Sequence, residues 1–447
     1  MTSLTDVNFS STLPHLANLI VDSFDESTLT SGTFLRDGFG RLSFYSVRHI
    51  KASEKKAFNK LALQKLGLHV SPHGALQDAD SPGFEAIKQS EKFSLKLTVQ
   101  DKEASVCFVD RRFFGRDWLH PPVAPAAGAP PILVFNSIKG GVGRSTALFV
   151  LSIALSRAGK NVLLVDLDLE APGLGALLFD GSAPTFGVLD YLVESALGGV
   201  SDDDLPMFIS SSTLIDREIG QGRVDLMPAV GALTIQNPKM MMAKLSRALV
   251  EVPGDTGRPT TLIQQINEMI IRASSTSHYD VVLVDARAGL SEITASPIIG
   301  LGATNLFFAT DHPHSYEGYR YLLSHLSMLP VDASSDWRSR VHFVHAKAKA
   351  SMEARELFND KLYDVVSDTF YEEDEGDDVF NYSYDDKTAP HSPFRIFFSS
   401  EFIDADPVEN ASLLESDVYN AAFGSFIDAA FRVLGFNQEV EDAAASF

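Results

Sequence analysis

A glycine-rich run at residues 138–146, Ile-Lys-Gly-Gly-Val-Gly-Arg-Ser-Thr, is the part of the sequence best suited to hold a phosphate group. It follows an apolar, strand-like stretch at residues 131–135 and precedes a helix-forming stretch at residues 146–158. Glycines let the backbone curve so that successive N–H groups point at phosphate oxygens, and the start of the helix adds partial positive charge. The hydroxyl of Ser145 is placed to bind Mg²⁺. We therefore predict a phosphate-binding loop.

Two further apolar runs end in carboxylates. The first, residues 162–166, ends at Asp166 and is followed by Asp168; the second, residues 281–285, ends at Asp285. Continuous apolar runs of this length are typical of buried parallel strands, whose carboxyl ends meet at one edge of a sheet. We expect the three aspartates and the glycine-rich loop to lie together there.

In this order, the three motifs resemble the ParA/MinD family of dimeric ATPases, whose deviant Walker A loop reads K-G-G-x-G-K-[ST]-T. Lys139 matches the signature lysine of that loop, while Arg144 stands where the family has its second lysine. Arg287, after the second acidic strand, also departs from the usual family form, and its role is open. The resemblance covers about residues 130–435 and is strongest at the three motifs.

The resemblance implies a P-loop fold, ATP and Mg²⁺ as ligands, and hydrolysis coupled to the pairing of two subunits. ATP is favoured over GTP because the sequence has no N-K-x-D motif. Lys139 would contact the nucleotide of the partner subunit, Asp168 would orient the attacking water, and Asp285 would hold Mg²⁺ through water. The predicted site residues are Lys139 and Asp168 for catalysis, Gly140, Gly141, Val142, Gly143, Arg144, Ser145, Thr146, Asp166 and Gly289 for the nucleotide, and Ser145 and Asp285 for the metal.

The presence of Arg144 in place of lysine affects the expected rate of ATP hydrolysis. Arginine keeps the charge and can contact two phosphate oxygens, but its planar guanidinium is larger than an ammonium group. We therefore expect nucleotide binding with slow turnover.

Composition narrows the class of protein. The chain has 447 residues, 45% of them apolar, and a net charge of −22. Its single cysteine, Cys107, excludes an internal disulfide and a thiolate metal cage. No apolar run reaches the length of a bilayer span and the start lacks a basic signal region, so we expect a cytoplasmic protein without membrane binding. The acidic charge argues against direct nucleic-acid binding by the bulk surface, and the basic group between Arg338 and Arg355 is interpreted as a solvated helix face.

The pattern of elements predicts an α/β fold with a doubly wound, mostly parallel sheet. We assign residues 1–120 to a small α+β N-terminal domain of unknown role, 121–131 to a Pro/Ala-rich linker and 132–447 to the nucleotide-binding domain. Residues 371–393 are predicted to be a flexible acidic insertion that buries little, and 413–434 a helix packed on the sheet. Strands are predicted near residues 132–136, 162–166, 224–228, 281–285, 305–309 and 341–345, and helices near 145–158, 186–197, 239–250, 260–273, 315–328 and 351–370.

Three functions are compatible with this sequence. The first is an ATP-gated homodimeric switch that controls a partner protein, through the N-terminal domain or the acidic insertion, for example in a multi-gene antiviral defence system. The second is a ParA-like partitioning ATPase on DNA or a membrane, which the acidic charge disfavours. The third is a nucleotide-binding scaffold that does not hydrolyse ATP, which Arg144 leaves open.

Overall fold

The computed structural model describes residues 7–179, 183–218, 221–253, 259–332, 336–372 and 379–436. Contacts divide the chain into two units. One contains Met1–Leu119 with Met328–Pro330, and the other contains His120–Ser327 with Val331–Phe447.

The N-terminal unit is a five-stranded sheet with helices, as predicted for an α+β domain. The strand order is β3-β2-β1-β5-β4, with β1 parallel to β5 and antiparallel to β2. Leu16, Ile20 and Phe58 of α1 and α3 share a buried core with Phe34 and Phe44 of the sheet. The elements are α1 (Thr12–Ser23), α2 (Glu26–Ser31), β1 (Thr33–Arg36), β2 (Leu42–Tyr45), α3 (Ala52–Leu66), β3 (Leu76–Gln77), α4 (Phe84–Gln89), β4 (Phe93–Val99) and β5 (Lys102–Asp110).

The larger unit alternates strands and helices. Its elements are β6 (Ile132–Ser137), α5 (Arg144–Arg157), β7 (Val162–Asp166), α6 (Leu174–Leu178), α7 (Val188–Leu197), β8 (Ser210–Ser211), α8 (Thr213–Glu218), β9 (Val224–Met227), α9 (Ala232–Gln236), α10 (Met241–Ala248), β10 (Val252–Pro253), β11 (Pro259–Thr260), α11 (Leu262–Ser274), β12 (Val281–Asp285), α12 (Glu292–Ile299), β13 (Thr304–Ala309), α13 (Pro313–Leu326), β14 (Val341–Ala348), α14 (Met352–Thr369), β15 (Phe394–Phe397) and α15 (Ser416–Leu434).

Eight of these strands form one sheet in the order β15-β14-β13-β6-β12-β7-β9-β8. The pairs are parallel except that β8 runs antiparallel to β9. Because side chains alternate along a strand, Phe135 joins the core beneath α5 and α15 while its neighbour Val134 joins the core beneath α7 and α11. Helices therefore cover both faces, and the predicted doubly wound parallel fold is confirmed.

The predicted strands and helices of this unit are present, with ends that differ by a few residues. In register, Asp285 of β12 lies beside Asp166 of β7 and Phe135 of β6, so the two acidic strand ends are adjacent and β12 lies next to the strand that leads into the glycine-rich loop. The C-terminal helix packs on the sheet as expected, with the Phe426 ring 6.2 Å from the rings of Phe135 and Phe308.

The segment 371–393 differs from its prediction. Residues 373–378 lie outside the described residues, but Phe380, Ala389 and His391 are buried, and the Tyr371 hydroxyl is hydrogen-bonded to the His391 ring. The expectation that this segment buries little is therefore wrong at Phe380, Ala389 and His391, whereas residues 383–385 are exposed. The prediction of little burial rested on the acidic residues of the segment, whereas its aromatic side chains pack together.

Among the described residues, no helix is both long enough and apolar enough to cross a bilayer.

Candidate functional site

The glycine-rich loop joins β6 to α5 and leaves open space above it. Gly141 and Gly143 adopt φ of +73° and +96°, a left-handed conformation that favours glycine. A Cβ built at Gly140, Gly141 or Gly143 would meet no atom within 4 Å. The backbone of the loop is thus accessible to a group of the size of a phosphate, at the N-terminus of α5.

Three hydrogen bonds hold the loop in place. The Ser137 hydroxyl donates to the Lys139 carbonyl at 2.9 Å, and the Gly289 amide donates to the Ser137 carbonyl at 2.9 Å. Lys347 Nζ, at the end of β14, donates to the Gly141 carbonyl at 2.7 Å. The loop is therefore connected both to the turn after β12 and to β14, which is separated from β6 by β13.

Arg144 points into the protein. Its Nη1 donates to Ser137 Oγ at 3.0 Å and its Nη2 donates to Asp168 Oδ2 at 3.2 Å. Its Nε lies 3.4 Å from Asp285 Oδ1, and the side chain is only 7% exposed. In this state the positive charge of the guanidinium compensates the negative charges of Asp168 and Asp285, and its N–H groups face these two carboxylates.

Ser145 and Asp285 form a second contact at the loop. The Ser145 hydroxyl donates to Asp285 Oδ2. Asp285 Oδ1 and Asp168 Oδ1 are buried and accept no hydrogen bond from the described residues. Burial raises the pKa of Asp285 to about 6, while Arg144 and the hydrogen bond from Ser145 act in the opposite direction. Buried carboxylate oxygens next to a hydroxyl are suitable ligands for a hard cation.

Asp166 is fully buried and contacts backbone. It accepts hydrogen bonds from the amides of Asp168 at 3.0 Å, Leu174 at 3.3 Å and Gly173 at 3.4 Å. Burial, followed by the nearby negative charge of Asp285, raises its pKa to about 8. Asp166 thus holds the segment that follows β7, which carries Asp168.

The other predicted residues differ in exposure. Lys139 is exposed and forms no ion pair with any described residue. Thr146 is half-buried, and Val142 is buried at 6% exposure. Arg287, whose role the sequence left open, forms an ion pair with Glu170, which joins the loops that follow β12 and β7.

A cavity of about 370 Å³ adjoins the loop. It is lined by residues 141–146 on one side and by residues 396–399 and 402–405 on the other, with Lys347 and Phe423 at its margin. Sequence reasoning missed the second wall. The signal available was the phenylalanine-rich run that ends the last strand, since β15 delivers its carboxyl end to the same sheet edge.

Sequence reasoning also missed Lys347, which it grouped with a solvated basic helix face. Lys347 lies in β14 at a shift of register between His345 and Ala348, with φ of +56°. Arg338, another member of that group, is 11% exposed and paired with Asp336 and Glu372. The interpretation of this group as one solvated helix face is therefore wrong.

Known proteins share parts of this chain. An uncharacterized protein of Mycobacterium tuberculosis is 27% identical over 187 residues, 41% of this chain and 48% of that protein. The iron-sulfur cluster carrier protein of Pseudomonas fragi is 26% identical over 167 residues, 37% of this chain and 55% of that protein. The chain thus spans about half the length of these curated relatives. The crystal structure of a ParA family ATPase from Chlorobium tepidum superposes with a TM-score of 0.45 and 18% identity, covering 68% of this chain and 99% of that one.

Residues 133–185 match the CobQ/CobB/MinD/ParA nucleotide binding domain. This stretch includes most of β6, the whole glycine-rich loop, α5 and β7, and it contains Arg144, Asp166 and Asp168. The predicted resemblance is confirmed over these residues, which carry a nucleotide binding domain of the CobQ/CobB/MinD/ParA type.

Proposed function

We propose that this chain binds ATP and Mg²⁺ at the 138–146 loop, hydrolyses ATP slowly, and acts as a nucleotide-dependent homodimeric switch on a partner protein. The observation that carries the proposal is the meeting of an open glycine loop, Ser145 and two carboxylates at one sheet edge. Phosphoryl transfer requires mainly positioned charges and a positioned water, and these groups supply both.

Mg²⁺ fits the residues present. The Ser145 hydroxyl already contacts Asp285 Oδ2. The buried Oδ1 atoms of Asp285 and Asp168 accept no hydrogen bond from the described residues. Ser145 and Asp285 would hold the ion. When bound, Mg²⁺ neutralises charge on the phosphates.

The chain's own groups would share the remaining work. Amides of the loop and the N-terminus of α5 would bind phosphate oxygens. Asp168 would orient water once its contact with Arg144 is released. Since Arg144 must leave Asp168 and Asp285 before it can reach a phosphate, part of the binding free energy is used to break these ion pairs, and turnover is slow.

The cavity beside the loop would take the base. Its aromatic wall, with Phe397, Phe398 and Phe402, offers ring surface for a purine next to the phosphate position.

A nucleotide-binding scaffold that does not hydrolyse ATP is the second candidate function. The observation that favours it is the inward position of Arg144.

The partner and the dimer rest on the family resemblance. Lys139 is exposed above the loop, as a residue that contacts a second subunit must be. The N-terminal unit and the described part of the 371–393 segment are the proposed surfaces for a partner protein.

Asp168→Ala tests the hydrolytic part of the proposal. We expect ATP affinity that is not reduced, since the ion pair with Arg144 no longer has to be broken, and a loss of turnover of about 100-fold or more, because the residue acts on the water in the transition state. Phosphate release and nucleotide titration measure the two effects, with the exposed Glu353→Ala of α14 as a control that leaves both unchanged.

The outcomes of that experiment are distinct. Parental turnover in Asp168→Ala removes the proposed role of this residue. Binding of ATP without phosphate release in the parent protein selects the scaffold. Failure of the parent protein to bind ATP with Mg²⁺ overturns the proposal.

A further inference from the structure

Two loops of similar composition leave the same edge of the N-terminal sheet. Residues 36–41, Arg-Asp-Gly-Phe-Gly-Arg, connect β1 to β2, and residues 111–116, Arg-Arg-Phe-Phe-Gly-Arg, follow β5. Because β1 and β5 are parallel, with Arg36 beside Asp110, both loops start at the carboxyl ends of their strands. We call these loops, together with Phe9, the Arg–Phe surface.

The rings of this surface are exposed. Phe39, Phe113 and Phe114 are 77%, 67% and 87% exposed, and Phe9 is 57% exposed. The rings of Phe39 and Phe113 meet edge to face at 5.4 Å, so the two loops form one continuous patch. A Cβ at Gly38 would lie 2.6 Å from the Phe113 ring, which is why glycine is needed where the loops touch. Grouped exposed aromatics mark an interaction surface.

Arginines lie against these rings. The Arg36 guanidinium is 3.8 Å from the centre of the Phe9 ring, and the Arg41 guanidinium is 5.6 Å from that of Phe39. A guanidinium that lies over a ring uses its face and leaves N–H groups in its plane for an anion.

The acidic residues of the same loops are already engaged. Asp37 accepts hydrogen bonds from the amides of Phe39 and Arg41, Asp110 forms an ion pair with Arg112, and Asp117 is buried. Arg112 is engaged by the same ion pair, so the N–H groups of Arg41 and Arg111, which form no ion pair with any described residue, are the main polar groups that the surface offers to a ligand.

Charge is unevenly distributed along the chain. Residues 1–119 contain 15 Lys and Arg against 14 Asp and Glu, a net charge of +1, whereas the whole chain carries −22. The acidic excess therefore belongs to residues 120–447. Net charge therefore does not oppose the approach of a nucleic acid to the N-terminal unit.

We propose that the Arg–Phe surface binds single-stranded DNA, with unpaired bases stacked on the phenylalanine rings and phosphates held by the arginines. Exposed rings combined with cations are the means by which proteins bind single strands without reading sequence. A duplex hides the faces of its bases, and an acidic peptide has no flat group for each ring. RNA gains no advantage, since the proposed contacts are to base faces and phosphates, which DNA and RNA share.

Fluorescence anisotropy of a labelled oligo-dT with the full chain tests this inference. We expect binding that weakens about a hundredfold in Phe113→Ala/Phe114→Ala, because two rings are removed and stacking on each ring is worth about a decade in affinity. Arg111→Ala should reduce the slope of log affinity against log salt by about 0.7. The matched controls are Leu68→Ala, an exposed apolar residue, and Lys56→Ala, an exposed cation of α3.

The inference is overturned if oligo-dT does not bind at low salt, or if the Phe113/Phe114 variant binds as the parent does. Equal loss in the controls, or equally tight binding of duplex DNA or polyglutamate, identifies a general anion surface and also overturns it. Tighter binding of oligo-U than of oligo-dT overturns the choice of DNA. Circular dichroism of each variant verifies that it is folded.

Discussion

At the scale of single residues, Arg144 links nucleotide binding to the protein's own electrostatics. Its guanidinium contacts Ser137, Asp168 and Asp285 at once, a set of contacts that its planar fork of donors can make. A lysine in the same place has one compact charge and cannot hold all three partners equally well. The identity of this residue therefore affects how easily the positive charge is transferred to a phosphate.

Arg144→Lys should retain nucleotide binding and raise the hydrolysis rate. Loss of charged hydrogen bonds worth about 1.5–3 kcal/mol in the resting state corresponds to an increase of roughly ten- to a hundredfold. Steady-state phosphate release beside nucleotide titration measures both quantities. Arg157→Lys, at the far end of the same helix, is the matched control. A decrease in both binding and turnover would show that the arginine makes a required contact with phosphate.

Asp166 gives the fold a pH dependence. Its pKa is raised in the folded state to about 8 from 3.8, so folding favours the protonated form. Its contribution to stability is fully present below pH 3.8 and is lost as the pH rises through about 8.

In Asp166→Asn, which does not titrate, this loss should be absent. Between pH 6 and 9, the difference in unfolding free energy between variant and parent should shift in favour of the variant by about 1–3 kcal/mol. Urea unfolding in the absence of nucleotide and metal measures this shift. Any difference in unfolding free energy already present at pH 6 does not affect it. A difference that stays constant over this range contradicts the assigned pKa.

At the scale of elements, the end of β14 supports the glycine loop through Lys347. Removing this contact in Lys347→Ala should leave the Gly141 carbonyl without its donor and weaken ATP binding by roughly ten- to a hundredfold, since a charged hydrogen bond is worth about 1.5–3 kcal/mol. Calorimetric titration with ATP and Mg²⁺ measures the affinity. Lys349→Ala, which removes an exposed lysine paired with Asp311, should bind as the parent does. Equal affinity in the two variants would show that the loop does not need this support.

Secondary-structure elements could be predicted where the local residue pattern alone identifies the element and its place in the sheet. The strands β6, β7 and β12 are continuous apolar runs, so their existence and the meeting of Asp168 and Asp285 beside the loop followed from the sequence. The direction of Lys347 did not, because it depends on a register shift against β15. The burial of Phe380 also could not be predicted, because its ring partner Phe370 lies earlier in the chain.

At the scale of the whole molecule, the two units differ in charge and in the chemistry they offer. The larger unit combines the nucleotide-binding site with the acidic excess, while the N-terminal unit is nearly neutral and presents the Arg–Phe surface. Such a division suits a switch in which one unit holds the nucleotide and the other carries a further binding surface.

Static light scattering of the full chain with a non-hydrolysable ATP analogue and Mg²⁺ tests the central claim, that nucleotide brings two copies together. The expected result is a mass close to that of two chains with the analogue and of one chain without it. Lys139→Ala should lose this change or need roughly ten to a hundred times more protein, because a charged contact across the interface is removed, whereas the exposed Lys239→Ala should not. A parent protein whose mass is the same with and without the analogue would contradict the account.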